Sequence, residues 1–274
     1  MRTLPFVKME GAGNDYVYVD GIHQDFDLGE GPRLARLVAD RHFGIGGDGL
    51  IVLAGSKTAD YRMVMWNADG SRGPMCGNGL RCLAKLAYDL GVTRERSARV
   101  ETDSGVRTVE LVLDGAGEVT GAAVDMGKVT VSEAPETVTI EGVDWRYHRG
   151  DAGNAHAVIF LEQDPDEAPV AEVGAAFQRL DSFPEGVNVE FVRARPDGGI
   201  EQRTHERGSG ETLACGSGAT VAALAAMVSG RVPGPQVAVH LRGGVLTIRR
   251  EASSLVMEGP ARTVFAGEFP IPES

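Results

Sequence analysis

The sequence predicts an α/β (α+β) protein of two pseudo-symmetric lobes, each with strands wrapped around a central apolar helix. Three observations carry this. Cys76-Gly77-Asn78-Gly79-Leu80 is answered 139 positions later by Cys215-Gly216-Ser217-Gly218-Ala219. The same offset relates Asn67 to Glu206, Gly47-Asp48-Gly49-Leu50 to Gly186-Val187-Asn188-Val189, and Gly105-Val106-Arg107-Thr108-Val109 to Gly244-Val245-Leu246-Thr247-Ile248; near the start it becomes 140, with Gly13-Asn14 answered by Gly153-Asn154. Finally, each cysteine opens a helical segment, and the second of these is apolar almost all round (Ala219, Val221, Ala222, Leu224, Ala225, Met227). A helix without a polar face is a buried one. The period is far too long for a solenoid and matches an ordinary domain.

The elements follow in order. Tyr16–Val19 is a short β-rich run and reads as a strand. Pro32–Arg41 reads as a helix with Leu34, Leu37 and Val38 on one face. Strands are expected at Leu50–Leu53, Tyr61–Trp66 and Thr108–Leu113, with a hairpin turn at Gly115–Gly117. In the second half, Ala157–Leu161 and Val189–Val192 read as strands. The helices after the cysteines span Gly77 to Asp89 and Gly216 to Val228. Each stops at a glycine, Gly91 and Gly230. Gly44-Ile45-Gly46-Gly47-Asp48-Gly49 matches GxGxxG literally. A dinucleotide fingerprint must follow a strand and open a helix; this one follows a helix and precedes a strand, so it reads as a glycine-rich turn.

Composition narrows the function. The 274 residues are 42% hydrophobic and 24% charged, as expected of a globular chain. A formal charge of −12 without a basic stripe argues against nucleic acid as a partner. No apolar run approaches the roughly 20 residues of a membrane span. The opening Met-Arg-Thr-Leu-Pro-Phe-Val-Lys lacks a signal-peptide apolar core, so a cytoplasmic location is expected. Three cysteines (Cys76, Cys82, Cys215) are too few for a disulfide framework. No CxxC pair or HExxH motif is present, so no metal is expected. Cys82, matched by Val221 in the other half, reads as a small buried hydrophobe.

Cys76 and Cys215 stand at glycine-rich helix starts. The first-turn N–H groups of a helix have no internal partner and carry positive potential. That setting is expected to favour thiolate and to receive a carboxylate. Two such thiols on opposite faces of a tetrahedral carbon would suit racemisation or epimerisation: one removes the proton, the other delivers one to the opposite face. Facing thiols also oxidise readily, so a requirement for reductant is expected.

At these residues the chain resembles the diaminopimelate epimerases, amino-acid epimerases that work without pyridoxal phosphate. The likeness runs through Lys8–Asp15, Asp40–Gly46, Asn67–Ser71, Met75–Gly79, Gly153–His156, Gly186–Asn188, Glu206–Gly208 and Gly210–Gly218, essentially the whole chain. It implies a diaminopimelate-epimerase-like fold with the site in the cleft between lobes. A final strand near Val264–Ala266 would return to the first lobe, giving lobes of residues 1–119 plus 264–274 and 120–263. It implies interconversion of L,L- and meso-2,6-diaminopimelate in lysine and peptidoglycan-precursor synthesis, no cofactor, and a homodimer. Cys76 and Cys215 would be the acid/base pair, with Cys76 acting on the L,L form. Gly77-Asn78 and Gly216-Ser217 would hold the reacting carboxylate. Asn14, Asn67, Asn154, Asn188, Glu206 and Arg207 would line the site and grip the distal end, with His156 in support. Gly49 stands where many members carry Gln, His205 where Tyr is common, and Ala157 where Cys is common. The competing readings are a racemase of another amino acid such as histidine, a phenazine-type isomerase, which would lack the cysteine pair, and a redox or metal module using two thiols.

Overall fold

The computed structural model describes residues 2–272. The chain divides into two compact units, residues 1–124 with 259–274 and residues 125–258.

In the first unit the order is β1 (Arg2–Gly11), β2 (Asn14–Asp20), α1 (Gly31–Ala39), β3 (Gly49–Ala54), β4 (Tyr61–Asn67), β5 (Arg72–Gly73), α2 (Gly77–Asp89), β6 (Ser97–Thr102), β7 (Gly105–Leu113) and β8 (Val119–Asp125). The β2–β3 and β4–β6 pairs are parallel, and a parallel pair needs a crossover. Helices α1 and α2 are those crossovers. The expected helix after Cys76 spans the residues anticipated. α1 ends at Ala39, two residues before the expected end, because the Asp40 carboxylate accepts the N–H groups of His42 and Phe43 and turns the chain. The GxGxxG run caps α1: Ile45 and Gly46 donate to the Val38 carbonyl and Gly47 to Ala39. Its glycines therefore close a helix instead of opening one. The Gly115–Gly117 turn joins β7 to β8, with Gly117 N–H on the Asp114 carbonyl.

The second unit runs β9 (Thr130–Val131), β10 (Glu136–Ile140), β11 (Val143–Asp151), β12 (Ala155–Phe160), α3 (Val170–Phe177), β13 (Asn188–Ala194), β14 (Ile200–Glu206), β15 (Gly210–Thr212), α4 (Gly216–Val228), β16 (Gln236–Leu241), β17 (Gly244–Arg250) and β18 (Leu255–Pro260). Here β12–β13 and β14–β16 are the parallel pairs, crossed by α3 and α4. Strand β4 maps onto β14, α2 onto α4 and β6 onto β16, residue for residue, at the 139 offset. Helix α3 was not anticipated, yet α1 shifted by the same offset lands on it. Its pattern is blurred by small residues; Gly174 is needed because the His205 ring lies 2.3 Å from where a Cβ would stand.

Strand β19 (Arg262–Ile271) contains the expected 264–266 segment and pairs antiparallel with β1 in the first unit. The division falls at 124/125 and 258/259 instead of 119/120 and 263/264. The cause is β8, whose residues from Val119 to Val124 are hydrogen-bonded to β7 and so stay with it.

Each unit has a helix at its centre. α2 packs on β1, β2, β3 and β7, with Leu80, Leu83 and Leu86 buried. α4 packs on β9, β11, β12, β13, β14, β16 and β17, and is buried from Ala219 to Ala226. At roughly 1.5–3 kcal/mol for each fully buried aliphatic side chain, these helices anchor their units. That fixes the position of each helix N-terminus, where the cysteines sit.

Candidate active site

In the first unit, Cys76 has extended backbone (φ −130°, ψ 118°) and is the N-cap of α2. Its sulfur accepts the Gly79 N–H at 3.3 Å, an orphan donor of the helix's first turn. The thiol donates to Asn14 Oδ1 at 3.1 Å. Asn14 arrives there because β1 and β2 form a tight hairpin in which Gly11 pairs with Asn14. Its two turn residues, Ala12 and Gly13, have φ of 56° and 82°. The Asn14 amide is held in turn: Nδ2 donates to Asp48 Oδ2 at 2.6 Å. Asp48 also accepts the Asp15 N–H at 3.0 Å and pairs with Arg41 at 3.1 Å. Lys8 and Arg41 both pair with Asp15. Burial and the neighbouring Asp15 push the Asp48 carboxyl above the usual range, opposed by the Asp15 N–H, Asn14 and Arg41.

Below the cysteine, Asn78 is 2% exposed and accepts from Arg81 Nη1 at 2.9 Å. Arg81 is fully buried, with Nε on the Pro260 carbonyl at 3.1 Å. Burial presses its guanidinium toward the neutral form, against the opposing influence of Cys82, Cys76, Tyr18 and Glu10. Cys82 lies in the helix core with its thiol pushed up to about 11 by burial. It is the buried packing residue the pattern indicated. Asn67, by contrast, is exposed at the end of β4, where its Nδ2 donates to Ser71 Oγ at 3.0 Å.

In the second unit, Cys215 caps α4 the same way (φ −118°, ψ 112°), accepting the Gly218 N–H at 3.3 Å. Its sulfur is 3.5 Å from Ser217 Oγ, and the Glu206 carboxyl lies nearby. Thr212 Oγ1 donates to the same carboxyl at 2.5 Å. Behind them His156 and Glu190 form a pair with no exposed surface, Nδ1 to Oε1 at 2.8 Å. His156 Nε2 contacts Asn154 Oδ1 at 3.0 Å. Asn154 follows Gly153 (φ 92°) in the β11–β12 turn, the counterpart of Asn14. Gly218 has no room for a side chain: a Cβ would lie 2.5 Å from Glu190 Oε1.

The helix start does not favour thiolate at Cys215, contrary to the expectation from the dipole. The residue is 5% exposed. Burial first, then the Glu206 and Glu190 carboxylates, push its thiol well above the ordinary range; Ser217 and the Gly218 N–H oppose this and lose. Burial likewise raises the Glu206 carboxyl, against the Thr212 and Cys215 hydrogen bonds.

Asn188 opens β13, is buried, and accepts the Arg207 N–H at 2.8 Å. Arg207 is otherwise exposed, with Nη1 on the Glu185 carbonyl at 3.1 Å. Gly77 and Gly216 are the first residues of their helices and are buried. Gly49 pairs with Asn67 across β3–β4, and a Cβ there would lie 2.1 Å from the Trp66 carbonyl oxygen. This backbone leaves no room for a side chain at Gly49.

Asp48, Arg81 and Glu190 escaped the sequence reading. Glu190 and Arg81 had a signal: a charge inside an otherwise apolar strand or helix face. Among the described residues, no helix is long and apolar enough to cross a membrane.

Solved structures share the architecture. A PhzF-family phenazine biosynthesis protein from Bacillus anthracis matches with a TM-score of 0.77 at 17% identity, covering 99% of this chain and 100% of that one. A hydroxyproline epimerase from Agrobacterium vitis matches at 0.75 and 19%, covering 98% and 92%. The fold is thus that of the PhzF and proline-racemase type, and the chain is an isomerase of the racemase–epimerase class. Sequence goes further. The family model described as diaminopimelate epimerase matches residues 6–132 and 143–264. Relatives named diaminopimelate epimerase are 41% identical in Leptospira biflexa (97% of this chain, 99% of the relative) and 42% in Geobacillus thermodenitrificans (98% and 97%). One from Methanococcus maripaludis is 39% identical (98% and 100%). The chain belongs to the diaminopimelate epimerase family.

Proposed function

We propose that this protein interconverts L,L- and meso-2,6-diaminopimelate, with Cys76 and Cys215 on opposite faces of the α-carbon, one removing a proton and the other delivering one, without a bound cofactor. The observation that carries it is the matched pair of caps: each unit presents one thiol at the first turn of its core helix, 3.3 Å from a backbone N–H. In the L,L direction, Cys76 first gives up its own proton to solvent. Its thiolate then takes the α-hydrogen, and the C–H electron pair moves into the adjacent carboxylate. Cys215 delivers its S–H proton to the opposite face, leaving a thiolate that regains a proton from solvent. The first-turn N–H groups at Gly77-Asn78 and Gly216-Ser217 would hold the carboxylate as charge builds on it.

Asn14 bonds the Cys76 thiol and Glu206 lies near Cys215, so both serve the reacting end. Asn188 serves by positioning Arg207, whose planar guanidinium suits the distal carboxylate. Asn67 and Asn154 complete the polar lining, and His156 supports Asn154. The product would feed lysine and peptidoglycan-precursor synthesis in the cytoplasm, and the assembly would be a homodimer, checked by light scattering.

The test is proton NMR of reduced protein with L,L-diaminopimelate in D2O. Deuterium at Cα together with the meso isomer is the expected result. Exchange with histidine alone, run in parallel, would keep the chemistry and replace the substrate. Exchange with neither would end the reading.

A further inference from the structure

We infer that Asp48 is a positioning residue for proton transfer at Cys76, acting through the Asn14 amide. The inference rests on the reading of Cys76 as a proton-transfer group.

An asparagine side chain has two ends: the carbonyl accepts and the NH2 donates. Which end meets a sulfur decides which form of the sulfur is favoured. A carbonyl can only accept the S–H proton; an NH2 can donate to the thiolate. In the first unit the choice is made by Asp48. Its Oδ2 takes the Asn14 NH2 at 2.6 Å, so the carbonyl is left facing Cys76 Sγ at 3.1 Å. Asp48 is itself held, by the Asp15 N–H at Oδ2 and by Arg41 at Oδ1. The other charged groups around this chain are Asp15, which faces Asp48, and Lys8, which pairs with Asp15. Arg81, Tyr18, Cys82 and Glu10 lie around the base of the cysteine on α2, β1 and β2.

The arrangement keeps the Cys76 proton on sulfur until something displaces the Asn14 carbonyl. A substrate group that takes over that carbonyl would release the proton from its hold. The second unit is built differently. There His156 engages the carbonyl of Asn154, and the Cys215 sulfur meets Ser217 Oγ and the Gly218 N–H, with the Glu206 carboxyl nearby. Asp48 therefore makes the two thiols respond differently to the same ligand.

The test reads the thiol directly, without substrate, so it is separate from any epimerisation assay. Alkylation of Cys76 by iodoacetamide at pH 7.5 is followed by peptide mass spectrometry. Asp48→Ala frees the Asn14 amide to turn its NH2 to the sulfur, and is expected to speed alkylation about fivefold. Asp48→Asn removes the charge but keeps an acceptor oxygen for Asn14, and is expected to stay within about twofold of the native rate. With Asn14→Ala already present, Asp48→Ala should have no further effect. The inference is overturned if Asp48→Ala leaves the rate unchanged, if Asp48→Asn matches it, or if its effect survives without Asn14. Should Asp48→Ala not fold, the S–H infrared stretch of native protein, assigned by difference from Cys76→Ala, decides. A hydrogen-bonded S–H band from Cys76 at neutral pH is expected; its absence overturns the inference.

Discussion

The surroundings of Cys76 and Cys215 differ far more than their backbones do. Both residues are extended N-caps, both accept a first-turn N–H at 3.3 Å, and both open helices of matching length. Five positions further on, α2 carries the fully buried Arg81 and α4 the fully buried Thr220, whose hydroxyl merely returns to the Gly216 carbonyl. Around Cys76 the buried charge carried by the helix is thus a cation. Around Cys215 it is the carboxylates of Glu206 and Glu190. A duplicated frame supplies the same partial positive charge from backbone twice. Burial of the sulfur, and after it the nearby carboxylates, outweigh that charge in one unit, because desolvation of a thiolate and a full charge at close range together exceed the fraction of a charge at a helix end.

Removing either thiol is the harshest way to test this pairing. Cys76→Ala and Cys215→Ala should each lower epimerisation by roughly 10³-fold, measured as kcat with L,L-diaminopimelate, because general acid or base catalysis is lost on one face. A mutant retaining near-native kcat would show that its sulfur is not a proton carrier. The contrast itself is read by alkylation at pH 8. Cys76, half-buried and beside Arg81, should react about tenfold faster than the buried Cys215, whose thiolate is disfavoured. Equal rates would erase the difference.

Glu190→Gln sharpens the comparison on the second unit. It replaces the buried carboxylate that His156 meets with an amide and should cost about 2 kcal/mol in denaturant unfolding. It should also speed alkylation of Cys215 by removing one of the two carboxylates. The smallest effect belongs to Cys82. Its thiol stays protonated in the folded chain until about pH 11, whereas an ordinary thiol ionises near 9. The folded state therefore binds more protons across that window, and its contribution to stability is full below about pH 9 and lost as pH rises toward 11. Cys82→Val should flatten that part of the pH–stability curve while leaving kcat within about twofold.

Much of the fold was legible in the sequence. The cysteine helices, the strands flanking them and the rejection of GxGxxG all followed from local pattern. The missed helix α3 lay at the repeat offset from α1, its own periodicity hidden by Ala, Gly and Val. Of the site, the residues at helix starts and tight turns were readable because glycine and asparagine mark such places by their backbone needs. Asp48 was not, since nothing local says that a carboxylate in a glycine turn will reach the amide of Asn14, 34 residues earlier in the chain.

The sequence by itself determined the duplicated architecture, the two core helices and the placement of a cysteine at the head of each. These depend on periodicity, capping and turn chemistry, which act over a few residues. Only the tertiary structure decided what each thiol experiences. The charge state of a buried sulfur depends on desolvation and on groups brought to it from elsewhere in the fold, Glu190 in one unit and Asn14 and Asp48 in the other, and no short-range pattern encodes those encounters.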